Sequence, residues 1–212
     1  MTKVLVLGAG GQIARHVVAM LGGDNDISLT LFARSPTKLT QAPTNAKIVQ
    51  GDVLDSVKLN DAIKGQDIVY ANLTGEDLDA QAKSVIASMQ AMGVKRLVFV
   101  LALGIYDEVP GKFGEWNNAT IGEELKPFRR AADAIEASKL DYTILRPAWL
   151  TDEDEVDYEL TTERGEPFKG TVVSRKSVAD LIVTVIRSPS LHLRGNVGVN
   201  KPGTDGDKPS FM

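Results

Sequence analysis

The chain opens on an apolar run, Val4-Leu5-Val6-Leu7, that passes directly into Gly8-Ala9-Gly10-Gly11 and then into the start of a helical pattern. Continuous valine and leucine runs mark strands buried on both faces, the environment of a parallel sheet covered by helices. Glycines in the turn that follows let backbone amides approach a pyrophosphate held at a helix N-terminus. A Gly-x-Gly alone carries little weight, because tight turns need glycine for steric reasons. Strand, glycines and helix in this order make a dinucleotide the expected ligand.

The rest of the chain repeats that alternation. Gln12 to Leu21 carries apolar residues at positions 13, 14, 17, 18 and 21, the spacing of one buried helical face. Short buried strands are expected at Leu29 to Ala33, Lys47 to Val49, Asp67 to Asn72, Arg96 to Leu101 and Tyr142 to Leu145, with helical patterns near 57–64, 79–92 and 123–138. This predicts right-handed crossovers and an α/β fold over residues 1–212: a single Rossmann domain whose doubly wound, mostly parallel sheet has helices on both faces. Small substrate-side elements are expected around 147–175, where Tyr158 to Thr161 and Lys169 to Val173 flank the turn-rich Glu163-Arg164-Gly165-Glu166-Pro167 as a hairpin or as crossing strands. A last helix, Ser177 to Arg187, opens on a serine cap and stops before Pro189, and Gly195 to Val199 reads as a final strand. The stretch from Gly104 to Gly122 reads as the least regular, either a substrate loop beyond the fifth strand or an ordinary surface loop held by its aromatics.

Composition narrows the function classes. With no cysteine, neither a disulfide framework, a thiolate zinc site nor a cysteine nucleophile is possible. Met1 runs almost at once into the first strand and no apolar stretch approaches membrane-spanning length, so the expectation is a soluble cytoplasmic protein without a membrane partner. A net charge of -4 and a pI near 5.3 argue against a nucleic-acid partner, which calls for a basic face. They leave a protein partner open, and the oligomeric state is not legible.

The cofactor is read from charge. An acid after the second strand suits a ribose hydroxyl, whereas a cation suits a 2′-phosphate. The residues there are Phe32-Ala33-Arg34-Ser35-Pro36-Thr37-Lys38, with no carboxylate. Arg34 offers a planar fork, Ser35 a hydroxyl and Lys38 a second charge, so NADP(H) is favoured over NAD(H). The glycine turn and first helical residues, Gly8, Gly10, Gly11, Gln12 and Ile13, are the expected pyrophosphate cradle. Asp52 and Val53 after the third strand are placed at the adenine, with Asp52 either accepting the amino group or capping the next helix. Ala71, Asn72 and Leu73 end the fourth strand where backbone must approach ribose and phosphate, although Asn72 is equally suited to ending the strand.

Together with Tyr142-Thr143-Ile144-Leu145-Arg146-Pro147, these features resemble the atypical short-chain dehydrogenase/reductases, particularly NmrA-like and biliverdin-reductase-B-like members. The glycine turn is similar to that family's Gly-x-x-Gly-x-x-Gly/Ala pattern through Gly8, Gly11 and Ala14, and the Arg-Pro after the sixth strand is a second marker. The resemblance implies a Rossmann fold and NAD(P) binding, with Pro147 to Leu150 near the nicotinamide. It also implies an active site of Tyr-x-x-x-Lys plus a serine after the fifth strand, and here the chain departs. Setting Asp133 on the acidic residue that often follows the motif puts Leu125 at the tyrosine position and Arg129 at the lysine position, while Leu101-Ala102-Leu103-Gly104 supplies no hydroxyl. Leucine and alanine transfer no protons, and arginine stays protonated.

Tyr106 is the one catalytic candidate the loop offers, and its phenol equally suits a loop anchor. Tyr106, Phe113, Trp116 and Trp149 are the expected substrate-side residues, with Trp149 either walling the nicotinamide pocket or joining the core. Arg129 is either a phosphate or ribose ligand or a solvated helix charge. His16 and His192 read as structural or exposed rather than catalytic, and the acids at 152–155 and 157 as a solvated loop rather than a cation site. Because the cofactor carries the hard step, a hydride can pass to a flavin-like or quinone-like acceptor while solvent supplies the proton. That makes an NADP(H)-dependent oxidoreductase acting on a small-molecule acceptor the leading expectation. The alternatives are a non-catalytic nucleotide sensor working through a protein partner, and an interaction protein that keeps the fold without useful binding.

Overall fold

The computed structural model describes residues 1–162 and 166–212. Its frame alternates strand and helix through the first two thirds of the chain: β1 (Thr2–Leu7), α1 (Gln12–Leu21), β2 (Ile27–Ala33), a single 3-10 turn (Pro36–Lys38), β3 (Lys47–Gln50), α2 (Ser56–Ile63), β4 (Ile68–Ala71), α3 (Leu78–Met92), β5 (Arg96–Val100), α4 (Gly111–Glu136) and β6 (Asp141–Pro147). Three short strands, β7 (Trp149–Thr151), β8 (Glu159–Thr161) and β9 (Val172–Ser174), precede α5 (Arg175–Arg187) and β10 (Gly195–Asn200). The main sheet runs β3-β2-β1-β4-β5-β6-β10-β8, parallel throughout except for β8 at the edge, while β7 and β9 form a separate parallel pair. This is the doubly wound Rossmann architecture in a single α/β domain.

The apolar runs are buried because both sheet faces are covered. Val4, Leu5, Val6 and Leu7 are all fully buried, alternating between two cores. Full burial of each such side chain contributes about 1.5–3 kcal/mol. One core lies under α1 and α5 and holds Val4, Val6, Val17 and Ile182; the other lies under α2, α3 and α4 and holds Leu5, Leu7, Leu59, Val85 and Ile135. No helix among the described residues is long and apolar enough to cross a membrane.

Two expectations fail here for physical reasons. Most of the stretch read as irregular between Gly104 and Gly122 is helix, since α4 begins at Gly111 behind Pro110 as its N-cap residue. Its first turns carry poor helix formers but bury Phe113, Gly114 and Asn117, so packing overrides propensity. A Cβ on Gly114 would lie 2.0 Å from the Val109 carbonyl oxygen, which is why glycine occupies that turn. β8 and β9 do not form a hairpin: β8 pairs with β10 and β9 with β7, as separate sheet edges. The expected turn at 163–165 lies outside the described residues. The serine cap of the last helix is Ser174, whose hydroxyl accepts from the Ser177 N–H at 2.9 Å, so α5 starts two residues earlier than the pattern suggested.

Candidate functional site

The chain leaves β1 toward β2 and β3 on one side and returns to β4 on the other, opening a crevice beyond the carboxyl ends of these strands. The glycine turn sits at that point. Gly8 adopts φ +73°, and the Gly8 and Ala9 amides both donate to the Phe32 carbonyl, at 3.1 and 3.3 Å, while the Gly11 amide closes the turn on the Gly8 carbonyl at 2.9 Å. A Cβ on Gly8 would meet the Asn72 carbonyl oxygen at 2.2 Å, and one on Gly11 would meet Asn72 Nδ2 at 2.0 Å. The end of β4 therefore packs directly against the turn, and two of the glycines are demanded by the protein itself. Gly10 differs, because a Cβ there finds only Lys38 Cβ at 3.7 Å and Leu39 Cδ2 at 3.9 Å. Behind the turn α1 starts with neither a side-chain cap nor an acid in its first turn, so its amide groups and positive dipole end are left for an anion.

The cleft at this point has a volume of about 470 Å³. Gly8, Gly10 and Gly11 line it together with Arg34, Ser35 and Lys38 from the loop after β2. Gly51, Asp52 and Val53 follow β3 into the same cleft, and Asn72, Leu73 and Thr74 follow β4. Four expected cofactor residues do not line it, Pro147 because it belongs to a second cleft described below. Gln12 is exposed on the first turn of α1, Ile13 packs into the core, and Ala71 is fully buried in β4. The alternative reading of Asp52 as a helix cap is settled by its neighbour: Asp55 caps α2 by accepting from the Lys58 N–H at 3.2 Å, while Asp52 Oδ1 accepts from Leu54 N–H at 2.9 Å within a turn. Asp77 and Gln81 were not anticipated. Gln81 Nε2 donates to Thr74 O at 3.1 Å and to Asp77 Oδ1 at 2.7 Å, bracing the loop after β4. The signal available in sequence was a glutamine on the apolar face of a helix.

A second cleft, of about 440 Å³, lies beyond β5 and β6. Leu101, Leu103, Pro147 and Trp149 wall it, with Ile121, Arg175 and Phe211. Since β4 and β5 are neighbours, the two clefts stand side by side along one edge of the sheet. Trp149 is fixed by its indole N–H, which donates to Asn117 Oδ1 at 2.9 Å, and by Trp116, whose ring centroid lies 4.9 Å away. Phe113 stacks behind Trp116 at 6.2 Å and is itself buried. Of the four expected substrate-side residues Trp149 reaches this cleft, and Phe113 and Trp116 support it.

Tyr106 lines neither cleft. Its hydroxyl donates to Glu136 Oε1 at 2.9 Å and accepts from Asn196 Nδ2 at 2.6 Å, and the guanidinium groups of Arg129 and Arg146 lie 4.6 and 5.5 Å from its ring centroid. Burial, then the Glu136 carboxylate, pushes the phenol well above the usual tyrosine range. The Arg-Pro pair divides its work. Pro147 lines the second cleft, whereas Arg146 turns inward to a buried ion pair with Glu108, whose carboxylate also accepts from the Gly104 and Tyr106 amides at 3.0 and 2.9 Å. Leu125 is buried beneath Gly104, and Arg129 is engaged with Asp133 at 2.9 Å and the Ile105 carbonyl at 3.2 Å. Three of the five acids after Trp149 are ion-paired: Asp152 with Arg175, Asp154 with Lys176 and Glu155 with Lys201.

A protein-family model described as NAD(P)H-binding matches residues 8–189. A Rossmann-fold NAD(P)-binding family protein from Shigella flexneri is 62% identical and superposes with a TM-score of 0.87 over 100% of both chains. A short-chain dehydrogenase/reductase of the wide type from Veillonella parvula DSM 2008, solved in complex with NADP, is 28% identical, with a TM-score of 0.88 over 99% of each chain. Among curated proteins, the uncharacterized sugar epimerase YhfK of Bacillus subtilis (strain 168) is 30% identical over 210 residues, 88% of this chain and 87% of that one.

Proposed function

The chain belongs to the NAD(P)H-binding family of atypical short-chain dehydrogenase/reductases, and from that premise we propose that it is an NADP(H)-dependent reductase of a flat, apolar acceptor, flavin-like or quinone-like, working without a side-chain proton donor. The observation that carries this reading is the pairing of the two clefts. The first offers an uncapped helix start and a cationic wall; the second is apolar and holds no group, among the described residues lining it, that gains or loses a proton near neutral pH.

Each half has its own support. In the first cleft Arg34, Ser35 and Lys38 suit a 2′-phosphate, and no carboxylate among the described residues is paired with either cation. The Veillonella relative, bound to NADP, supports the same preference. Asn72 and Leu73 lead from this cleft toward β5, where Leu101, Pro147 and Trp149 give a nicotinamide an apolar, water-excluding seat. NADPH bound there supplies a hydride, and a proton from solvent completes a two-electron reduction. A carbonyl or sugar substrate needs an acid or base at the reacting oxygen, worth about 10²–10⁴-fold in rate, and none of the described residues lining the second cleft supplies one. An acceptor whose reduced form is a stable anion does not need it. The same lack suits a non-catalytic nucleotide sensor, but an apolar cleft of about 440 Å³ at the nicotinamide end of the cofactor favours turnover.

The test is NADPH consumption against flavins, quinones, aldehydes and a nucleotide sugar. Oxidation of NADPH by flavins or quinones, faster than NADH and faster than with aldehydes, is expected. Tight NADPH binding with no turnover of any acceptor would replace the reductase with the sensor.

A further inference from the structure

We infer that Arg175 selects acceptors that carry an anionic group, so that the second cleft binds a flat apolar ring system with a phosphate or carboxylate at one end. The inference rests on the reading of this cleft as the acceptor site. Among its described lining residues Arg175 is the one charged side chain; the rest of the wall is aliphatic, aromatic or proline. A cation in such a place needs a reason. Arg175 is the first residue of α5, where the positive end of the helix dipole disfavours it. Its side chain is 17% exposed, and only one carboxylate meets it, Asp152, which is 80% exposed and contacts Nη1 at 2.8 Å. Its Nε is buried with no hydrogen-bond partner among the described residues.

A partly buried guanidinium with an unused N–H keeps an unmet demand for an acceptor oxygen. Asp152, largely in water, meets part of it through one nitrogen and leaves the planar fork incomplete. An anionic oxygen arriving in the cleft completes it, and the apolar wall with Trp149 takes the ring system. A phosphate and a carboxylate present the same paired oxygens to arginine, and the experiment separates them.

Of the chain's two tryptophans, Trp149 lines this cleft and Trp116 packs against it, so quenching of tryptophan emission reports its occupation without needing turnover. The protein, saturated with NADP, is titrated with FMN against riboflavin, which differ by one phosphate, and with anthraquinone-2-carboxylate against its methyl ester. The anionic member of a pair is expected to bind about ten- to a hundredfold more tightly. Arg175→Gln should erase that ratio while riboflavin and the ester stay within about twofold of the parent. The flavin pair alone responding assigns a phosphate, the quinone pair alone a carboxylate, and either supports the inference. Asp152→Asn, which breaks the same ion pair from the other side, should leave the discrimination intact or increase it. Equal affinities within both pairs in the parent overturn the inference. So does an equal loss for charged and neutral ligands in Arg175→Gln, because that marks an arginine that only ties down the loop after Trp149. Binding discrimination without NADPH oxidation would retain the anion site and reject the reductase reading.

Discussion

Replacing Gly10 by valine separates a glycine kept for the ligand from glycines kept for the protein. At Gly11 a Cβ would lie 2.0 Å from Asn72 Nδ2 and 3.2 Å from the Gly8 carbonyl, so valine there has to displace Asn72 and strain the turn. Overpacking of this kind costs about 1–3 kcal/mol, which for a domain of this size lowers Tm by about 2–12 °C. At Gly10 the same Cβ makes only ordinary contacts, the nearest at 3.7 Å, and φ is not in the left-handed region. Gly10→Val should therefore leave the Tm of the cofactor-free protein within about 2 °C of the parent. Gly10 lines the cleft that a pyrophosphate would fill, so a branched side chain there should crowd that ligand, and loss of one charge-assisted backbone contact costs about 1.5–3 kcal/mol, about ten- to a hundredfold in Kd. Differential scanning fluorimetry without ligand, followed by calorimetric titration with NADPH, reads both quantities. Unchanged NADPH affinity in a stable Gly10→Val protein would refute the cradle, and the glycines would then serve the turn alone.

Arg34→Ala should lower NADPH affinity by about tenfold with little change for NADH, the lower end of a charge-assisted contact because the side chain is exposed; calorimetry at two salt concentrations checks this, and the preference should shrink at high salt. Tyr106→Phe should cost about 1–3 kcal/mol by removing the hydroxyl's hydrogen bonds to Glu136 and Asn196, which stay bonded to each other at 2.9 Å, yet leave flavin and quinone reduction unchanged; a selective collapse of aldehyde reduction would instead make Tyr106 a proton donor. Tyr70 is fully buried with no partner for its hydroxyl among the described residues, so Tyr70→Phe should match or exceed the parent in urea denaturation. Both phenols are pushed well above the usual tyrosine range by burial, so the unfolded chain releases their protons first. Stability is then full below about pH 10 and falls as pH rises beyond it, which alkaline denaturation curves of the two phenylalanine variants against the parent should show as a shallower decline.

Much of this fold is legible because its signals are local. Val4 to Leu7 and Arg96 to Val100 are buried on both sides and read as strands from their composition alone, and the order of strand, glycine turn and helix carries the first cleft. Counting from strand ends places Arg34, Ser35, Lys38 and Asp52 at the ligand, and all four line that cleft. The misses are tertiary. The start of α4 looks irregular until the burial of Phe113 and Asn117 against the rest of the molecule is known, and Ala71, small enough to suit a ligand, is consumed by the core. Tyr106, the one phenol near the end of β5, is committed to Glu136 and Asn196 through contacts 30 and 90 residues away in sequence. Arg175 and Phe211 reach the second cleft from the far end of the chain, where no pattern along the sequence links them to Leu101.

Whether one cofactor spans both clefts is answered by the structure of the NADP complex. The 2′-phosphate should lie within hydrogen-bonding distance of the Arg34 guanidinium, with the pyrophosphate against Gly10 and the nicotinamide in the second cleft beside Leu101, Pro147 and Trp149. A phosphate remote from Arg34, or a nicotinamide outside that cleft, would contradict a cofactor that spans both clefts.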